Sequence, residues 1–328
     1  VYSLQNSPSI PTGWQELMLT GPLTNGFKGG VYTNGTEVVI AIGGTSGGDV
    51  VNDPVARADW INNVVIGLGL PGSQLYDAAR LYEQVKRGAF GATVSNLPIS
   101  FTGHSLGGGL ASLLAGLFGK PATLFASAPF ELALNAATAG AIQSALARDG
   151  FSDPSLDLLV QWDAASQSYR FDNALKGQRE QNVNNYAVNG EALEALRFDA
   201  TTYAAQTQQL IDVGPTELGA IGRHSMLLHL AALGSDNFRK ASVSLPALLR
   251  WTFDTKLYGR DPKGRTTDFL QRLIRYQFGG PGYTPSAMLD RFGTDMQKLA
   301  DSGAVSQRPL QDALIATGIE YYNFVDGQ

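Results

Sequence analysis

Apolar and polar positions alternate along the chain in two rhythms. Short apolar runs bounded by Gly, Pro or Asn predict strands, and longer stretches with apolar residues three and four apart predict helices. The opening, to about Gly21, is rich in Pro and Ser and reads as an irregular strap with Trp14 and Leu17 as anchors. Residues 26–33 and 37–42 flank Asn34-Gly35, a dipeptide that predicts a hairpin turn with both residues at positive φ. Val38-Val39-Ile40-Ala41-Ile42 is continuously apolar, as a strand covered on both faces should be. Residues 76–87 predict a helix whose apolar face is Leu75, Ala78, Ala79, Tyr82 and Val85. A short buried strand is expected at 98–102, a helix of small residues at 106–118, and a further strand at 122–126 ended by Pro129. Strand, helix, strand, helix, strand is the order of an α/β protein whose mostly parallel sheet carries helices on both faces.

After Phe130 the rhythm changes. Residues 130–182 are rich in Ala and Gln and read as a helical insertion with turns at Gly150 and Pro154. Residues 183–188 return to strand, and the remainder reads as helix broken at Gly214-Pro215, Pro246, Asp261-Pro262 and residues 279–282. The expected organisation is one domain over 1–250 that contains the insertion, followed by a helical C-terminal region over 251–328. No internal repeat is visible, and a single Gly47-Gly48-Asp49 lacks the period of a calcium-binding array.

Composition narrows the functions. The chain carries 24 Lys and Arg against 29 Asp and Glu, a formal charge of −5, with no basic cluster. It therefore lacks the electrostatic footprint of a nucleic-acid binder. Apolar residues make up 44% and charged residues 16%, which excludes a disordered chain. Cysteine is absent, so disulfides, thiolate metal sites and a Cys nucleophile are all excluded. The longest apolar stretch, 110–118, is broken by Ser112 and Gly116 and is too short to span a bilayer. No signal-peptide pattern opens the chain, and Val1 stands where Met would, so a processed or trimmed N-terminus is expected.

Two segments fit G-x-S-x-G, the pattern that sets a nucleophilic serine on a sharp strand-to-helix turn: Gly44-Thr45-Ser46-Gly47-Gly48 and Gly103-His104-Ser105-Leu106-Gly107. Only the second runs on into a helical pattern, so Ser105 is the candidate nucleophile. A serine needs a base, and the chain has three histidines. His104 shares the tight turn with Ser105, and His229 lies in the apolar run 226–233; both read as structural. His224 follows a loop and lies C-terminal to the serine, as the order Ser, acid, His requires. Glu191, just beyond the strand 183–188 and the turn Asn189-Gly190, is the first candidate for the acid. Asp199 and Asp212 remain alternatives, whereas Asp163 and Asp172 read as solvated residues of the insertion. The oxyanion of a tetrahedral intermediate would be held by the backbone N–H of Leu106 and by Thr45, in the loop after the strand ending at Ile42. Such chemistry needs neither metal nor cofactor.

These residues resemble the class 3 lipases, the family of the fungal triacylglycerol lipases. Val38 to Thr45 is similar to that family's strand ending in Arg-Gly-Thr/Ser, with Gly43 in place of Arg. Asp59-Trp60-Ile61 resembles its Asp-Trp motif, and Thr102-Gly103-His104-Ser105-Leu106-Gly107-Gly108 its nucleophile elbow. Ala126-Ser127-Ala128-Pro129 resembles its next strand end, and Gly190-Glu191-Ala192-Leu193 with Leu196 its acid segment, with Glu for Asp. The resemblance covers about residues 26–130 closely and 183–230 loosely. It implies an α/β-hydrolase-type fold and hydrolysis of lipid acyl esters. The 130–182 insertion and the C-terminal helices look more like lipase-like domains of large secreted bacterial proteins, which would place this chain outside the cell. The family's lid would fall on Trp60, Val64, Val65, Ile66, Leu68 and Leu70, residues that fit ordinary core equally well.

The reading from sequence is a serine ester hydrolase with lipid or other acyl esters as substrate and transient contact with a lipid interface. Triacylglycerol lipase, phospholipase A1 and carboxylesterase stay open. The alternative is a non-catalytic binding or assembly module that keeps the hydrolase fold. A peptidase ranks third.

Overall fold

The computed structural model describes residues 10–11, 13–44, 72–197, 202–212, 218–253, 270, 273–274 and 287–303. A seven-stranded mixed sheet runs in the order β1 (Gln15–Thr20), β2 (Gly29–Thr33), β3 (Val38–Ile42), β4 (Ile99–His104), β5 (Ala122–Phe125), β8 (Val183–Val188) and β9 (Gln206–Ile211). The first three strands pair antiparallel, and β3, β4, β5, β8 and β9 pair parallel. With its flanking helices this is an α/β-hydrolase-like fold.

The helix α1 (Gly72–Lys86) buries Leu75, Ala78, Ala79, Tyr82 and Val85 as the spacing predicts, and Leu81 and Glu83 as well. Tyr82 packs edge-on against Phe101 of β4 and tilted against Phe118 of α2 (Leu106–Phe118), which locks the two helices to the sheet. Every residue of α2 is buried. Truncating a leucine there to alanine would cost about 2–5 kcal/mol. In β3, Val38, Ile40 and Ile42 are buried while Val39 and Ala41 are only half-buried, so its two faces are not covered equally.

Four expectations from sequence need correction. The N-terminal strap contains an edge strand: β1 pairs with β2 across a bulge at Glu16/Met18, and its ladder bonds come from β2 rather than from any apolar alternation of its own. The hairpin pairs Thr33 with Val38, so the loop spans residues 34–37 and only Gly35 takes positive φ. Asn34 instead closes the loop with its side chain, Oδ1 accepting from the N–H of Thr36 (2.9 Å) and Glu37 (3.0 Å). The segment 130–182 is not purely helical. Between α3 (Ala136–Arg148), α4 (Pro154–Leu159) and α5 (Asn173–Glu180) it carries a separate two-stranded hairpin, β6 (Val160–Asp163) and β7 (Ser168–Phe171). Finally, β9 adds a strand where helix is expected; its Gln-rich sequence gives no apolar signal, and it forms by pairing with β8.

Leu134, Ile142, Leu146, Leu156 and Leu159 of the 130–182 segment join the same core as β3, β4 and α2. A second cluster forms where α7 (Met226–Gly234), α8 (Asp236–Ser244), α9 (Pro246–Phe253) and α10 (Ala287–Asp301) pack around Val188, Leu210 and Ile211 of β8 and β9. Among the described residues no helix is long and apolar enough to cross a membrane. Trp60, Val64, Val65, Ile66, Leu68 and Leu70, where the resemblance would put a lid, lie outside the described residues, as does Asp59.

Candidate active site

Ser105 stands between β4 and α2 with φ 58° and ψ −128°, a left-handed backbone that a serine adopts only where its surroundings enforce it. Two glycines make that turn possible. A Cβ on Gly103 would lie 2.2 Å from the carbonyl oxygen of Gly107, and one on Gly107 would lie 2.3 Å from that of Ile42. The backbone of Ser105 is pinned on three sides: its N–H donates to Phe125 O (3.1 Å), and its carbonyl accepts from Gly109 N (3.1 Å) and Ala128 N (3.0 Å). Its Oγ is buried and has no hydrogen-bond partner among the described residues. Leu106 opens α2, so its N–H has no acceptor within the helix and points toward the start of the helix dipole.

His224 closes the single turn α6 (Ala220–Arg223), just before Ser225 caps α7. It is 3% exposed, and its ring centroid lies 4.6 Å from that of His104, the residue next to Ser105. Its Nδ1–H donates to Oε2 of Glu191. Glu191, also 3% exposed, is set by the turn at Gly190 (φ 72°) that ends β8. Burial by itself would raise the Glu191 carboxyl, but His224, Arg197 and the N–H of Leu193 override it and bring the pKa down to about 2. The carboxylate is thus ionised throughout the neutral range and accepts on both oxygens: Oε2 from His224 and Leu193 N (2.9 Å), Oε1 from Arg197 Nη1 (2.5 Å).

All three histidines gather here. His104 donates its Nε2–H to the carbonyl of His224 (2.6 Å), and His229 donates its Nδ1–H to the carbonyl of Ser225 (2.8 Å). Burial, joined by the neighbouring imidazoles, holds His104 well below the ordinary range. Burial also takes His229 down to about 4, against the opposing pull of its bond to Ser225. Both are therefore neutral at pH 7. The other carboxylates lie in different settings. Asp212 is exposed and accepts from Asn189 Nδ2 (2.6 Å), Asp163 pairs with Arg170 (2.7 Å), and Asp172 caps α5. Thr45 and Ser46, like Asp199, lie outside the described residues. Among the described residues, no group of three or more His, Asp or Glu is placed to hold a metal ion.

Residues 5–222, more than half of the chain, match the family described as the Tle-like phospholipase domain. The chain belongs to that family. At a finer level, 104 residues are 35% identical to an extracellular phospholipase A1 of Serratia liquefaciens; this match takes in 32% of the chain and 28% of that relative's length. The family is a lipase- and phospholipase-like one, and neither comparison singles out the class 3 lipases.

Arg197 is the site residue that sequence reasoning does not find. It sits six positions after Glu191 in an unremarkable Leu-Arg-Phe context, and no motif marks it.

Proposed function

We propose that the chain is a serine hydrolase of lipid acyl esters, with phospholipids the first substrates to test. Ser105 Oγ attacks the ester carbonyl carbon while His224 Nε2 takes its proton. The tetrahedral oxyanion is held by the N–H of Leu106 and, from the sequence resemblance, by Thr45. Collapse expels the alcohol, which takes the proton from His224 and leaves an acyl-enzyme on Ser105. Water, deprotonated by His224, then releases the fatty acid. Glu191 fixes the His224 tautomer and stabilises the imidazolium. The observation that carries this reading is the buried, ionised Glu191 bound to Nδ1 of the imidazole beside the strained Ser105 turn.

Phospholipid as substrate rests on the family description and on the relative's name, and the class 3 likeness of the elbow is compatible with it. In the same reading, residues 1–250 form the hydrolase domain with its 130–182 insertion, 251–328 add helical support, and the protein acts outside the cell. The test is turnover of acyl esters of rising chain length and of phosphatidylcholine vesicles, with Ser105→Ala in parallel. Serine-dependent release of fatty acid from vesicles supports a phospholipase. Release only from short soluble esters points to an esterase. No turnover by folded protein favours the binding-module alternative.

A further inference from the structure

The carboxylate of Glu191 and the turn of Ser105 are joined by one guanidinium. Arg197 donates Nη1–H to Glu191 Oε1 (2.5 Å), while its Nε (3.1 Å) and Nη2 (2.8 Å) both donate to the carbonyl of Ser127. That carbonyl belongs to the Ser127–Ala128 peptide, whose N–H, on Ala128, donates to the carbonyl of Ser105 (3.0 Å). The same strand end is held from β8: Ala126 N donates to Tyr186 O (2.7 Å) and Ser127 N to Asn185 Oδ1 (3.2 Å). Ser127 is fully buried, and the Arg197 side chain is 13% exposed.

We propose that Arg197 is a positioning residue of this site: it braces the Glu191 carboxylate against His224 and, through one peptide group, against the turn that carries Ser105. The proposal rests on the reading of Ser105, His224 and Glu191 as a triad. Geometry favours a brace over a simple counter-ion. A planar guanidinium can hold a carboxylate on one edge and a carbonyl on the other at fixed separation, which a lysine cannot do. Glutamate is one methylene longer than aspartate and has one more torsion to fix. With Oε1 tied to Arg197, and Oε2 to Leu193 N, the carboxylate has a single orientation left to offer the imidazole.

The test compares Arg197→Met, which keeps length and loses charge and donors, with Arg197→Lys, which keeps the charge. Two readouts are taken: steady-state hydrolysis of a soluble ester as a function of pH, and NMR titration of the Glu191 side-chain carboxyl together with the His224 Nδ1 proton. For Arg197→Met, kcat is expected to fall about 10- to 100-fold, with KM within about twofold, as suits a misplaced catalytic group. The Glu191 carboxyl should titrate above its wild-type value, and the acid limb of the rate profile should change with it. For Arg197→Lys the carboxyl should stay low while kcat recovers only in part. Unchanged Glu191 titration and His224 signal in Arg197→Met overturn the proposal. Full recovery in Arg197→Lys overturns the brace in favour of charge alone. Should Arg197→Met fail to fold, Arg197→Lys decides between partial and full activity. If wild type hydrolyses no ester, the triad reading fails, and the NMR arm still decides whether Arg197 orients Glu191.

Discussion

The Nδ1–H of His224 is donated to Oε2 of Glu191, across 33 positions of sequence and within a fully desolvated contact. In the proposed triad this pair makes Glu191 the acid in place of Asp212. Glu191→Gln keeps the shape but removes the charge and admits the wrong imidazole tautomer. A fall in kcat of about 10³–10⁴ is expected. Among the described residues Asp212 accepts from Asn189 at the surface, away from His224, so Asp212→Asn should change activity no more than about twofold. Steady-state kinetics of the two variants, side by side, would show the reverse order if Asp212 were the acid.

His229 offers a different separation. It is fully buried, packs edge-on against His104 and Phe125, and its Nδ1–H is committed to Ser225. His229→Ala should cost about 2–4 kcal/mol of stability through the cavity it leaves, while kcat at a temperature where the variant is folded stays within a few-fold of wild type. Denaturant unfolding combined with kinetics measures both. A loss of kcat as deep as that of a His224 variant would show that the wrong histidine has been assigned.

The sheet and the site were legible to different depths, for physical reasons. The strands β3 and β5 are short, largely apolar runs, β4 and β8 place apolar residues among polar ones between turn residues, and α2 follows a motif, so local sequence carries their signal. Strand β9 is Gln206-Thr207-Gln208-Gln209 before it reaches Leu210, and it exists because β8 offers it a ladder. The hairpin of β6 and β7 likewise depends on pairing that no periodicity announces. Within the site, Ser105 is marked by its glycines and Glu191 by its place after a strand. Arg197 is not marked, because its importance comes from the approach of Ser127, 70 residues away.

The elbow glycines differ sharply from glycines that merely sit in helices. Gly107→Ala would place a methyl 2.3 Å from the Ile42 carbonyl, inside a packed turn, and should cost about 3 kcal/mol or more or prevent folding. Gly177→Ala, in α5 with nothing within 4 Å of the added carbon, should leave stability unchanged or raise it by up to about 1 kcal/mol. Thermal unfolding of both variants is the check, and equal Tm values would contradict the close approach at Gly107.

Glu83 is a buried carboxyl that the chemistry does not use. Burial, then the charge of Asp153, raises it to about 7, against the opposing pull of Lys86 and Arg87; Tyr82 and Arg179 also border Asp153. An acid whose pKa is higher in the folded than in the unfolded chain binds more protons when folded, so its contribution to stability declines as pH rises from about 4.5 to 7. Buried His229 and His104 act in the opposite sense over part of that range, so the wild-type curve alone does not isolate Glu83. The stability of wild type minus that of Glu83→Gln should fall between about pH 4.5 and 7 and be flat above it. Urea unfolding across this range gives the difference directly, and a flat or rising difference would sink the assignment.

Whether Ser105 is an activated nucleophile is decided most directly by covalent labelling. The folded protein would be treated with a fluorophosphonate and digested, and the modified peptide identified by mass spectrometry, with Ser105→Ala as control. The expected result is a single adduct, on Ser105, formed at a rate that Glu191→Gln lowers. An adduct on Ser46 instead, or none on folded protein, would contradict the triad.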